Sequence, residues 1–145
     1  MTKVHDKDNF YKIYDWAGSD RGKLPWAHDE PTLFLRDIVA QRGKPGKALD
    51  IGCGAGTDSL YLAGEGWNVT SLDFMPSALE MTRARAAAAG LKLTAIEADV
   101  TEWEPNGKFD LVLDHGLLHN MNPDRYPLYR ERIMRAVADD GEFVI

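Results

Sequence analysis

The sequence predicts a doubly wound α/β domain in which a mostly parallel sheet carries helices on both faces. Short apolar runs alternate along the chain with longer segments of helical period. Strands that alternate with helices imply parallel strands joined by crossovers. A glycine-rich turn, residues 52–56, follows the first apolar run of this series and connects the predicted strand to the next helix.

The N-terminal segment, residues 1–30, is predicted to form an aromatic helix and a flap. Apolar residues recur at helical spacing between residues 9 and 17, and a polar, glycine-rich loop follows that ends at Trp26. Trp16 and Trp26 are amphipathic aromatics, which serve equally well in a flap over a ligand and in the packing of a terminal helix.

Residues 31–145 are predicted to complete this single domain. Pro31 and Pro76 mark the first turns of two helices, and Gly43 and Gly90 mark their ends. The predicted elements are, in order, a helix over 31–42, a strand over 47–51, a helix over 57–65, a strand over 68–73, a helix over 77–89, strands over 93–98 and 109–114, a helix over 125–138 and a strand over 142–145. The first of these helices is expected to bury Phe34, Leu35, Ile38 and Val39.

The last predicted strand is apolar and ends the sequence at Ile145. A bare apolar sheet edge invites association, and natural domains cover such edges. We therefore expect either that the full protein continues with further strands, so that this core is truncated at its C-terminal end, or that the edge pairs in a homo-oligomer.

Composition and charge restrict the function. The 17 basic and 23 acidic residues give a net charge of −6, which disfavours nucleic acids and anionic membranes as partners. No apolar run approaches the roughly 20 residues of a membrane span, and the N-terminus lacks the apolar core of a signal peptide. With a single cysteine, Cys53, we expect a cytoplasmic protein without a disulfide.

Acidic residues stand at or near the tips of four predicted strands: Asp50, Asp73, Asp99 and Asp114. Ligands of open α/β sheets bind at the carboxyl ends of the strands, so these side chains are expected to converge on one crevice. Each alone would be read as a helix cap or a solvated loop acid. Their convergence predicts a binding site.

Asp73 identifies part of the ligand. It lies 21 residues after Gly52, at the end of the next strand, where a carboxylate accepts both hydroxyls of a ribose. Phe74 and Met75 follow and are placed to flank an adenine ring, although core packing is the more common use of such side chains. A nicotinamide dinucleotide fits Asp73 equally well, but its fingerprint spaces the glycines G-x-G-x-x-G, whereas this chain has G-x-G-x-G.

Four motifs in this order resemble those of the class I S-adenosylmethionine-dependent methyltransferases. They are Leu49-Asp50-Ile51-Gly52-Cys53-Gly54-Ala55-Gly56, Leu72-Asp73-Phe74-Met75-Pro76-Ser77-Ala78, Ala98-Asp99-Val100 and Phe109-Asp110-Leu111-Val112. The resemblance spans residues 47–145 and implies a Rossmann-like fold with S-adenosylmethionine as cofactor and S-adenosylhomocysteine as product.

The same resemblance implies a role for each motif residue. Gly52 and Gly54 let the amino acid part of the cofactor pass the turn, and Asp50 orients that part directly or through water. Asp73 holds the ribose, while Asp99 and Val100 border the adenine.

A branch of the family is also suggested. Trp16, Trp26 and the segment Asp114-His115-Gly116-Leu117-Leu118 are similar to features of the thiopurine and thiol methyltransferases, in which an N-terminal flap bearing tryptophan covers cofactor and substrate. Asp114, Trp16 and Trp26 are therefore added to the predicted cofactor-binding residues. That branch often carries arginine where this chain has His115, so the resemblance does not imply a thiopurine substrate.

His115 and His119 are four residues apart and admit three interpretations. The spacing suits two metal ligands on one helix face, but the segment reads as a strand and a loop, and no metal is predicted. A hydrogen-bonded loop histidine is the second interpretation. The third makes one of them the base that takes the acceptor's proton, with His119 preferred and His115 close behind.

The predicted function is transfer of a methyl group from S-adenosylmethionine to a small-molecule thiol, hydroxyl or amine by direct displacement. Two alternatives stay open at this point. One is a nucleotide-binding or S-adenosylmethionine-binding module without catalysis, since fold does not dictate function. The other is a nicotinamide-dependent oxidoreductase.

Overall fold

The computed structural model describes residues 12, 14, 16, 18, 20, 30 and 31 and the continuous chain 33–145. The helices are α1 (Leu33–Arg42), α2 (Thr57–Gly64), α3 (Pro76–Ala88) and α4 (Tyr126–Ala136). The strands are β1 (Lys47–Ile51), β2 (Asn68–Asp73), β3 (Thr94–Glu97), β4 (Phe109–Asp114) and β5 (Val137–Val144). Two single-turn 3-10 helices, Leu118–Asn120 and Pro123–Arg125, lie between β4 and α4.

The five strands form one parallel sheet in the order β3-β2-β1-β4-β5. The chain therefore builds outward from β1 to β3 and then crosses back to place β4 on the other side of β1. At this reversal Ile51 lies opposite both Leu72 and Asp114, so three strand ends meet at one crevice. The predicted doubly wound α/β architecture is confirmed.

Two apolar layers cover the sheet because successive side chains of β1 and β4 point to opposite faces. On one face Leu49 and Val112 pack in a cluster that contains Tyr129 and Ile133 of α4. The opposite face has its own cluster, which contains Ala48, Leu111 and Leu113 of the strands, Leu35 of α1 and Leu62 of α2. Helix packing on both faces holds the carboxyl ends of the strands in place.

The C-terminal boundary differs from the prediction. Helix α4 ends at Ala136 and not at residue 138, and β5 begins at Val137 and not at residue 142. Val137 pairs with Phe109 and Glu142 pairs with Leu111, so five steps along β5 match two along β4. The sequence Asp139-Asp140-Gly141 resembles a turn, but the strand accommodates it as an irregularity in the ladder.

Predictions for the N-terminal region meet the structure only in part. Lys12, Tyr14 and Trp16 are helical, and the Tyr14 side chain is buried while Trp16 is 66% exposed. Trp26 and the predicted loop around it lie outside the described residues. Phe34 was expected to be buried but is exposed, whereas Leu35 next to it is fully buried. No helix in the part of the chain that is described has the length and apolar character needed to cross a membrane.

Candidate cofactor site and active site

Two adjoining cavities open at the carboxyl ends of the strands. The larger has a volume of about 340 Å³ and the smaller about 120 Å³. They share five lining residues, which are Gly52, Asp73, Phe74, Leu117 and Asn120. The larger cavity alone is within the range of small-ligand pockets, and the shared residues make the two one elongated crevice.

The glycine turn forms one wall of the crevice, and its backbone requires glycine. Gly52, Gly54 and Gly56 have φ angles of 68°, 56° and 87°, a region that other residues rarely adopt. A Cβ atom on Gly56 would lie 2.6 Å from the hydroxyl oxygen of Thr82. That hydroxyl also donates a hydrogen bond of 3.0 Å to the carbonyl of Gly54, which fixes the turn against α3.

Asp73 lies where the two cavities meet. Its Oδ2 accepts the N–H of Gly54 at 3.0 Å, and its Oδ1 accepts the N–H of Met75 at 2.9 Å. Burial raises the pKa of this carboxyl to about 6, although backbone N–H groups of Met75, Gly54 and Phe74 oppose the shift. The result is a rigidly held carboxylate that still borders open space in both cavities.

Asp50 belongs to the floor of the larger cavity. The Ser59 hydroxyl donates to Asp50 Oδ2 at 2.6 Å, and the hydroxyl oxygens of Ser59 and Ser71 are 2.7 Å apart. Burial, and next the charge of Asp58, raise the pKa of Asp50 to about 8. A ligand that brings positive charge to this floor would favour the ionised carboxylate.

The smaller cavity has apolar walls and one polar edge. Phe74 and Val100 line it, and Asp99 supplies the carboxylate. Asp99 Oδ1 accepts both the N–H of Thr101 at 2.9 Å and its hydroxyl at 2.7 Å. Arg125 Nη2 is 3.9 Å from Asp99 Oδ2. This combination suits a flat heterocycle that presents hydrogen-bonding groups along one edge.

His115 lines the larger cavity together with Asp58. His115 Nδ1 is 3.1 Å from Asp58 Oδ2, and the side chains are 46% and 5% exposed respectively. His119 is exposed on the Leu118–Asn120 turn and lines neither cavity. The structure thus brings His115 to the crevice and leaves out His119, the preferred candidate from the sequence.

Three other predicted cofactor-binding side chains also lie away from both cavities. Met75 is 1% exposed and packs in a core cluster with Tyr14, so it does not flank the crevice. Asp114 accepts the N–H groups of Leu117 and Leu118 at 2.7 and 3.2 Å, which turns its carboxylate into a cap for the following loop. Trp16 contributes to neither lining.

Asp114 has a further partner that explains its orientation. The Tyr129 hydroxyl donates to Asp114 Oδ2 at 2.5 Å. Burial, together with the charge of Asp114, raises the pKa of Tyr129, so the phenol keeps its proton and is the donor. The strand-end position was predicted correctly, but the side chain faces α4 because its hydrogen-bond partners lie there.

Several lining residues were not predicted. They include Tyr14 and Asp58 in the larger cavity, Thr101 and Arg125 in the smaller one, and Leu117 and Asn120 in both. Asp58 carried a signal, since it occupies the first turn of the helix after the glycine turn. Thr101 directly follows the predicted residues Asp99 and Val100. The remaining residues come from the segment between β4 and α4 or from the N-terminal region, and nothing in their local sequence indicates the crevice.

Cys53 lines the larger cavity, and burial raises the pKa of its thiol well above the usual range. A thiol held in the protonated form is a poor nucleophile. Within the described chain, no group of three or more potential ligands is placed to hold a metal ion.

Comparison with known proteins identifies the architecture. Residues 48–141 match the family model described as a methyltransferase domain. The 2-heptyl-1-hydroxyquinolin-4(1H)-one methyltransferase of Mycobacteroides abscessus is 30% identical over 123 residues, which are 83% of this chain and 54% of that protein. A probable thiol methyltransferase of Arabidopsis thaliana is 30% identical over 133 residues, covering 89% of this chain and 59% of the relative. The chain thus spans a little over half the length of these relatives.

Solved structures give the same assignment. A protein solved in work on the conversion of a disulfide bond into a thioacetal group during echinomycin biosynthesis has a TM-score of 0.81 and 33% identity, covering 97% of this chain and 59% of that one. The Burkholderia thailandensis 1,6-didemethyltoxoflavin-N1-methyltransferase, solved with S-adenosylhomocysteine and 1,6-didemethyltoxoflavin bound, has a TM-score of 0.72 and 26% identity, covering 99% and 65% of the two chains. The chain belongs to the class I S-adenosylmethionine-dependent methyltransferase family.

Proposed function

We propose that this chain binds S-adenosylmethionine in the elongated crevice and takes part in methyl transfer to a small molecule. The observation that carries the proposal is the position of Asp73, a buried carboxylate that borders both an apolar cavity and an acidic one. A nucleoside with a charged amino acid tail has this same succession of an apolar base, a diol and a cationic end.

The residues present fit that ligand. Asp73 would accept hydrogen bonds from the ribose hydroxyls, and Asp99 and Val100 would border the adenine in the smaller cavity. Asp50 would face the amino acid end, where Gly52 and Gly54 leave the backbone free of side chains. A Cβ on Gly52 would lie 3.1 Å from the Cβ of Leu117, a tight contact, and the residue bearing it would also have to adopt the φ of 68° that other residues rarely take.

When bound, the cofactor supplies an activated methyl group on a positively charged sulfur. The carboxylates of Asp50, Asp58 and Asp73 around the larger cavity would complement positive charge there. The remaining task of the protein is to align the acceptor with the methyl carbon and to exclude water. Positioning of this kind contributes about 7–11 kcal/mol to the lowering of a barrier.

The acceptor is proposed to be a small molecule with a thiol, hydroxyl or amine nucleophile. The matched relatives are named for a hydroxyquinolinone and for thiols, which are small molecules. His115 borders the same cavity as the proposed cofactor tail, and a neutral imidazole can take a proton from an acceptor. We accordingly assign the role of base to His115.

Binding of S-adenosylhomocysteine by titration calorimetry tests the cofactor assignment. The wild type is expected to bind, and Asp73→Asn is expected to bind at least about a hundredfold more weakly, because two charge-assisted hydrogen bonds contribute roughly 1.5–3 kcal/mol each. Asp37→Asn, an exposed change of the same chemistry on α1, is the matched control. The assignment is wrong if the wild type does not bind, or if Asp73→Asn binds as tightly as the control.

Transfer of labelled methyl groups to a panel of thiols, phenols and amines tests the reaction. We expect methylated product with at least one class of acceptor. Tight cofactor binding without any transfer by the chain in its natural context would instead indicate a binding module.

A further inference from the structure

We propose that Asp58 is a positioning residue that holds His115 with its proton on Nδ1, so that Nε2 is the atom that receives the acceptor's proton. The inference rests on the proposed function. It adds the atom that acts as base, the residue that holds the ring in the required tautomer, and the class of acceptor.

The contact itself sets the tautomer. Asp58 Oδ2 and His115 Nδ1 are 3.1 Å apart, and an ionised carboxylate can only accept a hydrogen bond. The N–H must therefore be on Nδ1 of His115. In a neutral imidazole the other nitrogen, Nε2, then carries the lone pair.

Both partners are fixed by the fold. Asp58 lies in the first turn of α2, where the helix dipole favours a negative charge, and its side chain is 5% exposed. His115 comes directly after the last residue of β4, and Gly116 follows with a φ of 99°, which turns the chain away. The histidine is therefore held from its buried side, while 46% of its side chain is accessible from the crevice and solvent.

The electrostatic surroundings favour an acceptor that arrives neutral. Asp50, Asp58 and Asp73 line the larger cavity, and none of its described lining residues is a lysine or an arginine. A preformed anion would be repelled by the carboxylates of Asp58 and Asp73, whereas a neutral O–H or N–H acceptor would not. Base assistance is needed for such an acceptor, because it has to lose a proton in order to become a stable methylated product.

The proposed step moves one proton and one methyl group. The bond between the acceptor atom and its hydrogen breaks, and that proton goes to Nε2 of His115. A lone pair of the acceptor atom forms the bond to the methyl carbon, while the pair of the carbon–sulfur bond stays on sulfur. The acceptor class is therefore a weakly acidic hydroxyl or an amine, and Asp58 acts through His115.

Nitrogen NMR of the histidine ring tests the positioning without any turnover. At an alkaline pH at which the ring is neutral, long-range proton–nitrogen spectra distinguish the two neutral tautomers. His115→Gln assigns the signal. We expect the wild type to carry the proton on Nδ1, Asp58→Ala to lose that preference, and the matched control Asp37→Ala to retain it. A wild-type proton on Nε2, or an unchanged tautomer in Asp58→Ala, would overturn the inference.

Acceptor acidity provides the second readout, with S-adenosylhomocysteine binding as the check on folding. Asp58→Ala is expected to lower kcat by at least about tenfold for weakly acidic phenols, since general-base assistance contributes about 10²–10⁴ to rates. For phenols already ionised at the assay pH, kcat should match that of Asp37→Ala. Equal losses on both classes would mean a merely structural role. A wild type that transfers to no acceptor would refute the proposed function. In that case the tautomer spectrum by itself would still test whether Asp58 holds the proton on Nδ1 of His115.

Discussion

Replacing Asp50 with asparagine is expected to stabilise the cofactor-free fold while it weakens cofactor binding. Burial raises the pKa of Asp50 from 3.8 to about 8 in the folded chain. Below pH 3.8 the carboxyl is neutral in both the folded and the unfolded state, and burial carries no ionisation penalty. As the pH rises towards 8, the unfolded chain releases the proton and the folded chain retains it, so the fold loses stability.

The magnitude follows from that difference. At pH 7 the gap to the unfolded-state pKa is about 3 pH units, and each corresponds to about 1.36 kcal/mol, which gives about 4 kcal/mol. At pH 5 the same calculation gives about 1.6 kcal/mol. Asparagine has no charge to lose and still offers an oxygen to the Ser59 hydroxyl. We expect Asp50→Asn to raise the free energy of unfolding by about 2–4 kcal/mol at pH 7 and by less at pH 5.

Denaturant unfolding at pH 5, 6 and 7, followed by circular dichroism, measures this difference directly. Asp37→Asn removes an exposed carboxylate and should leave the free energy of unfolding nearly unchanged at each pH. The reasoning would be refuted if Asp50→Asn were no more stable than the wild type at pH 7, or if its advantage did not grow with pH. Calorimetry on the same samples should show weaker binding of S-adenosylhomocysteine.

Two further substitutions test features of the site's framework. Gly56→Ala should destabilise the fold by about 2–4 kcal/mol in denaturant unfolding, because Gly56 has a φ of 87° and a Cβ there would lie 2.6 Å from a hydroxyl oxygen. Gly64→Ala, a change at the end of α2 with nothing within 4 Å, is its control and should be neutral or slightly stabilising. Tyr129→Phe should cost about 1–3 kcal/mol by leaving the buried Asp114 short of a partner, while affinity for S-adenosylhomocysteine is retained. A large loss of affinity in a folded Tyr129→Phe protein would contradict the assignment of Asp114 to the framework.

The strands could be predicted because their signals are local. Strands β1, β2 and β4 have the predicted bounds, since each is a short apolar run that ends at or next to an aspartate. Asp50 and Asp73 line the crevice as their strand-end positions suggest. Once a strand is predicted from the sequence, its last residues can be placed at the carboxyl edge of the sheet.

The directions in which the side chains point were harder to predict, because they depend on partners that are distant in sequence. Asp114 stands at a strand end like the others, but Tyr129 lies 15 residues further along, and its hydroxyl draws the carboxylate away from the crevice. The choice between His115 and His119 depended on how the chain turns after β4, which spacing alone does not reveal. Asp58 and His115 are 57 residues apart in the sequence, and only the fold brings Oδ2 of Asp58 to within 3.1 Å of Nδ1 of His115.

The carboxylate of Asp73 joins two events that are usually considered separately. The same oxygen that accepts the Gly54 N–H belongs to the group proposed to hold the ribose. Ordering of the glycine turn and occupation of the nucleoside site are thus thermodynamically linked, because each stabilises the geometry that the other requires. Occupation of the proposed nucleoside site would therefore stabilise the glycine turn that borders it.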